Sequence, residues 1–240
     1  MLILGLLANI YFIYFMAAVL PAAILLVYVY RQDKVEKEPP SLLFRLLIAG
    51  VIAALLSIIL ETVGENALNI FISPYDPAYV ILLAFIVVAA VEEGTKYFLL
   101  KRRTWNHPAF DCRFDGIVYA VFVSLGFAAF ENISYVFGYG LSVAPSRALL
   151  AVPAHMSFAV YMGSYYGRAK ARDRAGHPGK AKADRIRGYL SAVFLHGFYD
   201  TCCMLGSDRS AVVFVFFVLL MFVNVFRKIR KESENDTYIY

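Results

Sequence analysis

The chain has 240 residues, 60% hydrophobic and 17% charged, with a formal net charge of +5. A soluble domain carries about 45–50% apolar and about 25% charged residues, so this composition excludes an ordinary soluble enzyme or binding module. The positive balance points to anionic lipid and membrane orientation rather than to nucleic acid.

The apolar excess is gathered into blocks of about 20 residues, the length that crosses ~30 Å of hydrocarbon. The first block, 2–30, contains Pro21. It has no charged leading region and no small-residue cleavage site after it, so it reads as a span rather than a signal peptide. A charged loop, 31–40 (RQDKVEKEPP), precedes a second span at 41–60. The connection 61–77 holds acids, Asn, Ser and Pro but no Lys or Arg. A third span, 78–100, runs into Lys101, Arg102 and Arg103; a fourth covers 116–137 and a fifth 148–166. The most basic stretch, 168–187, contains Gly176, Pro178 and Gly179, which are expected to break any helix. A sixth span at 188–205, a seventh at 211–226 and a charged tail complete the chain. The expected fold is all-α: one polytopic transmembrane bundle of about seven spans over residues 1–240.

Orientation follows from Lys and Arg. The loops 31–40, 101–115 and 168–187 and the tail hold 19 of the 23 basic residues, and the alternate loops hold Arg147 and Arg209. This asymmetry predicts the N-terminus outside, the C-terminus in the cytoplasm and 168–187 as a basic cytoplasmic loop. Cys112, Cys202 and Cys203 have no paired spacing and read as small packing residues.

A charged side chain at the bilayer centre costs roughly 2.5–3.5 kcal/mol, so such residues normally face a bundle interior or a wet cavity. Four spans carry that cost. In the third, Glu92 and Glu93 lie four and three residues before Lys96, which can reach either carboxylate. In the fourth, Glu131 and Asn132 follow the small residues Gly126, Ala128 and Ala129, which permit close helix contact. The fifth brings His155, with Gly163 and Gly167 spaced as a packing face. The sixth places His196 four residues before Asp200, which can orient the imidazole. Each group alone has a bland reading as a structural ion pair or a satisfied core histidine. Together they converge only if the helices close around one polar cavity.

The ordered set EExxK, then Phe130-Glu131-x3-Tyr135, then His155, then His196-x3-Asp200 resembles the PrsW family of bacterial intramembrane proteases, relatives of the CAAX prenyl proteases and immunity proteins. The wider superfamily has a histidine where Glu131 stands and an asparagine where Asp200 stands, and these departures favour PrsW over a prenyl-protein protease. The resemblance implies a multi-pass enzyme of the bacterial cytoplasmic membrane. Its implied reaction is cleavage of a single-pass membrane protein, an anti-sigma factor, as the first cut of a stress-response cascade. The implied catalytic set is Glu92, Glu93, Glu131, His155, His196 and Asp200, supported by Lys96, Asn132 and Tyr135.

Two mechanisms remain open. In one, Zn²⁺ held by two or three of Glu92, Glu93, Glu131, His155 and His196, with the last four the foremost candidates, acidifies its water and a remaining glutamate is the base. In the other, a glutamate activates water directly while His196 with Asp200 or Asn132 stabilises the oxyanion. No HExxH occurs on any helix; the crowding of anionic groups favours the metal version. The rival classes are a proton-coupled transporter, which also buries acids and histidines, and a non-catalytic membrane scaffold in which these groups only pack the helices.

Overall fold

The structure is a computed structural model and describes residues 2–239. Seven long helices account for nearly all of it: α1 (Leu2–Gln32), α2 (Pro40–Phe71), α3 (Pro77–Thr104), α4 (Asp115–Tyr139), α5 (Val152–Arg174), α6 (Pro178–Leu205) and α7 (Asp208–Glu234). The one extended pairing among the described residues is a single antiparallel bridge between Cys112 and Tyr238. Five helices, α1 to α4 and α7, are long and apolar enough to cross a membrane. The fifth and sixth expected spans lie on α5 and α6, whose polar residues lower their hydropathy.

Several expected boundaries are corrected. The second span does not end at residue 60, because helix α2 continues through Glu61 and Glu65 to Phe71. Nothing in 61–71 breaks a helix; the first proline after it is Pro74. The basic stretch 168–187 is not a loop. It is the end of α5 and the start of α6, joined by a tight turn at Gly176 (φ +75°). Pro178 sits in the first turn of α6, where a missing N–H does no harm. Pro21 leaves α1 a single helix.

α4 is the central element, buried along most of its length between α1, α2 and α5. Small residues make this possible. A Cβ on Gly167 would lie 2.0 Å from the Arg113 carbonyl oxygen, and one on Gly126 would lie 2.3 Å from the Leu47 carbonyl oxygen. The GxxxG spacing on α5 is therefore a backbone-to-backbone seam with the start of α4. Since backbone cannot yield as a flexible side chain can, Gly167→Leu is expected to destabilise by roughly 3 kcal/mol, the upper part of the overpacking range. An unchanged unfolding midpoint in detergent would refute that contact.

On the outer surface, Phe44, Ile59, Phe71, Leu149 and Leu220 are exposed, which suits a lipid-facing belt. α5 and α6 are clamped near their connection by buried Asp184, whose carboxylate meets Arg168 at 2.9 Å and Arg172 at 2.6 Å. Two stretches of π-helix interrupt the rods: Leu83–Ala89 within α3 and Arg147–Ala151 just before α5. Each precedes a helix segment that carries polar residues of the site, Glu92 and Glu93 in one case and His155 in the other. A π-turn inserts a residue and re-aims the side chains after it, a device frequent at functional sites.

Candidate active site

Helices α3, α4, α5 and α6 each contribute to one connected cluster. Glu92, Glu93, Lys96, His155 and His196 are all buried, while Glu131 and Asp200 are half-buried at its edge. The centre is the Lys96 ammonium. It donates to Glu93 Oε1 at 2.8 Å and Glu92 Oε2 at 3.0 Å, lies 3.2 Å from His155 Nδ1, and sits 3.9 Å over the Phe127 ring. Lys96 thus reaches both carboxylates, where the spacing alone required only one.

From this centre two arms extend. On one side, Lys96 donates to His155 Nδ1, which puts the imidazole proton on Nε2, and Nε2 donates to Glu131 Oε2 at 3.0 Å. On the other side, Glu93 Oε1 meets His196 Nδ1 at 3.0 Å, and His196 Nε2 lies 3.3 Å from Asp200 Oδ2 and 3.9 Å from Glu92 Oε2. His196 is therefore held from both ring nitrogens and stacked on Phe158 at 4.7 Å. Of the residues expected from sequence, Glu92, Glu93, Lys96, Glu131, His155, His196 and Asp200 all join this one chain of contacts.

Glu92, Glu131, His155, His196 and Asp200 line a cavity of about 660 Å³, within the usual range for substrate sites. Glu93 and Lys96 stand behind that wall. Asn132 is fully buried, donating to the Ala18 carbonyl of α1 at 2.7 Å and accepting from Arg147 Nε at 2.7 Å. Tyr135 lies at the cavity edge under the Arg147 guanidinium, 3.8 Å from the ring centre.

Two residues of the site escaped the sequence reading. Arg147, counted there only as a loop charge, ties Asn132 to Glu131, whose Oε2 lies 3.0 Å from its guanidinium. Glu61, taken as the start of a polar connection, faces the same cavity with a buried, unpartnered Oε1. Ser57, four residues before it on the same helical face, is buried and bonded to Thr95 of α3 at 2.8 Å, so this face of α2 turns toward the site. Because Arg147 holds the carboxylate that holds His155, Arg147→Met is expected to lower substrate turnover by about 10–100-fold, the range for outer partners of a site. Cleavage at the wild-type rate would contradict that role.

A metal ion can be tested against these donors. One ligand atom each of Glu92, Glu93 and His155 lies within 4.8 Å of the others. Two carboxylates and an imidazole are a donor set that suits zinc, and the place they surround already accommodates one cation, the Lys96 ammonium. The residues fit, with Lys96 having to withdraw. The compact set is Glu92, Glu93 and His155, while Glu131 meets the opposite nitrogen of the imidazole and His196 braces Glu93.

A bundle of apolar helices with acids and histidines drawn together beside an internal cavity is the arrangement that an intramembrane hydrolase requires. The comparisons agree: a profile described as PrsW family intramembrane metalloprotease matches residues 38–226. Proteins named Protease PrsW are similar over nearly the whole chain. That of Geobacillus kaustophilus is 35% identical over 90% of this chain and 90% of its own length. Those of Oceanobacillus iheyensis and Bacillus subtilis are each 33% identical, covering 91% and 90% of this chain and 95% and 93% of their own. No solved structure matches. The chain belongs to the PrsW family of intramembrane metalloproteases and is a multi-pass bacterial membrane protein.

Proposed function

We propose that this chain is an endopeptidase that hydrolyses one peptide bond in a single-pass membrane protein of the anti-sigma factor class, as the first cut of a regulated cascade. All seven helices cross the bilayer, with the N-terminus outside and the C-terminus in the cytoplasm. The observation that carries the reading is the single chain of contacts from Glu131 through His155, Lys96 and Glu93 to His196 and Asp200, beside a cavity of about 660 Å³.

Within that cavity Glu92 is the base. It lines the wall, whereas Glu93 lies behind it with one oxygen shared between Lys96 and His196. Glu92 takes a proton from water as the oxygen attacks the carbonyl carbon; the same proton then passes to the amide nitrogen as the C–N bond breaks. His196, held at Nδ1 by Glu93, would turn its Nε2–H from Asp200 to the developing oxyanion. Glu131, fixed by Arg147, holds the His155 ring. A zinc ion, if bound by Glu92, Glu93 and His155, would supply an acidified water and polarise the carbonyl, and Glu92, then a ligand, would leave the base's role to Glu131 at the cavity edge.

Co-expression with a tagged single-pass substrate tests the proposal. Wild type should release a shortened product, and a Glu92→Gln/Glu93→Gln double variant of equal abundance should not. Uncleaved substrate with wild type, or normal cleavage by the double variant, would end it.

A further inference from the structure

A second acidic cluster lies far along the fold from the first, where the 31–40 loop, the start of α4 and the C-terminal tail meet. Carboxylate oxygens of Asp33, Asp115 and Asp236 lie within 4.8 Å of one another. Asp33 is completely buried, and neither of its carboxylate oxygens has a hydrogen-bond partner; one oxygen of Asp236 is likewise buried and unpartnered. Asp115 accepts from the backbone N–H groups of Cys112 at 2.7 Å and Asp111 at 3.1 Å, and buried Glu38 beside it accepts from the Tyr119 hydroxyl at 2.6 Å.

The nearby cations answer these acids only in part. The Lys37 ammonium acts on Asp33 through space but is taken up by the backbone carbonyls of Tyr30, at 2.6 Å, and Asp33, and Arg113 stands beside Asp236. A buried carboxylate without a partner is costly enough that proteins pair it, protonate it or give it a metal. Oxygen donors throughout select a hard ion.

We propose that Asp33, Asp115 and Asp236, with Glu38 beside them, form a second cation site that takes a hard divalent ion such as Ca²⁺ or Mg²⁺. The ion fastens the tail to the rest of the fold. Tail residues already lie along the α3–α4 loop, with Ile239 donating to the Asp111 carbonyl at 2.5 Å, Arg113 donating to the Thr237 carbonyl at 3.3 Å and Phe114 donating to Asp236 at 2.8 Å. An ion bridging Asp236 to Asp33 would add the α1–α2 loop to that seam.

The test is run at pH 8, on the full chain in detergent, stripped with chelator and titrated with Tb³⁺, for which Tyr119 is a built-in sensitiser. Expected are saturable terbium emission, its displacement by Ca²⁺ or Mg²⁺, and an unfolding midpoint that rises with the logarithm of either ion's concentration. Asp33→Asn/Asp236→Asn should lose all three, while Glu92→Gln/Glu93→Gln keeps them, which separates this site from the cavity. Wild type lacking saturable emission and a midpoint shift overturns the proposal, whether or not the aspartate variant folds. Emission that survives in a folded aspartate variant overturns it equally.

Discussion

Replacing Glu92 with glutamine is expected to lower substrate cleavage by about 10²–10⁴-fold, the range for loss of a general base, with little change in the amount of folded protein. The two effects separate because of how the buried charges are shared. Lys96 keeps its 2.8 Å contact with Glu93 when Glu92 is neutralised, so the cluster retains a balanced pair. Glu93→Gln differs, since Glu93 Oε1 also receives His196; both stability and cleavage should fall. The check is kcat/KM on purified protein beside an unfolding curve of each variant. Equal kcat/KM for wild type and Glu92→Gln would remove Glu92 from the chemistry.

Lys96→Met should destabilise the protein by about 3–5 kcal/mol, the loss typical when one partner of a buried pair is removed. Methionine fills similar space over Phe127 but leaves two adjacent carboxylates facing each other with no ammonium between them. The unfolding midpoint in chelator measures this. Zn²⁺ added to the variant should recover part of the loss, because Glu92, Glu93 and His155 then surround a place no longer held by a cation. A variant as stable as wild type in chelator would contradict the central role of Lys96. One that ignores Zn²⁺ would contradict the assigned donor set.

The polar cluster was legible in sequence because lipid makes buried charge conspicuous. Glu92, Glu93, Lys96, Glu131, His155, His196 and Asp200 stand out against apolar neighbours, and the structure joins them in one chain of contacts. Three things were not legible. Hydropathy ended the second span where polar residues gather from Glu61 on, whereas the backbone ends a helix only where it loses hydrogen bonds, so α2 ran on past Glu61 and carried that carboxylate to the cavity. Arg147 looked like a loop charge because the π-helical turn that aims it at Glu131 and Asn132 leaves no mark in the spacing of apolar residues. The grouping of donor atoms also depends on side-chain reach. His155 presents one nitrogen to Lys96 and the other to Glu131, a division that position along a helix does not reveal.

The second acidic cluster was hidden for a different reason. Asp33, Asp115 and Asp236 come from three segments separated by most of the chain, each of which reads as solvated loop or tail. Only the docking of the tail against the α3–α4 loop brings them together.

The most direct measurement is hydrolysis by the purified chain in liposomes with a single-pass substrate, run in ¹⁸O-labelled water and read by mass spectrometry. Wild type should yield a product whose new C-terminal carboxyl carries ¹⁸O, and Glu92→Gln reconstituted at equal density should yield essentially none. The same labelled product from Glu92→Gln at an undiminished rate would show that water is activated somewhere other than this cavity.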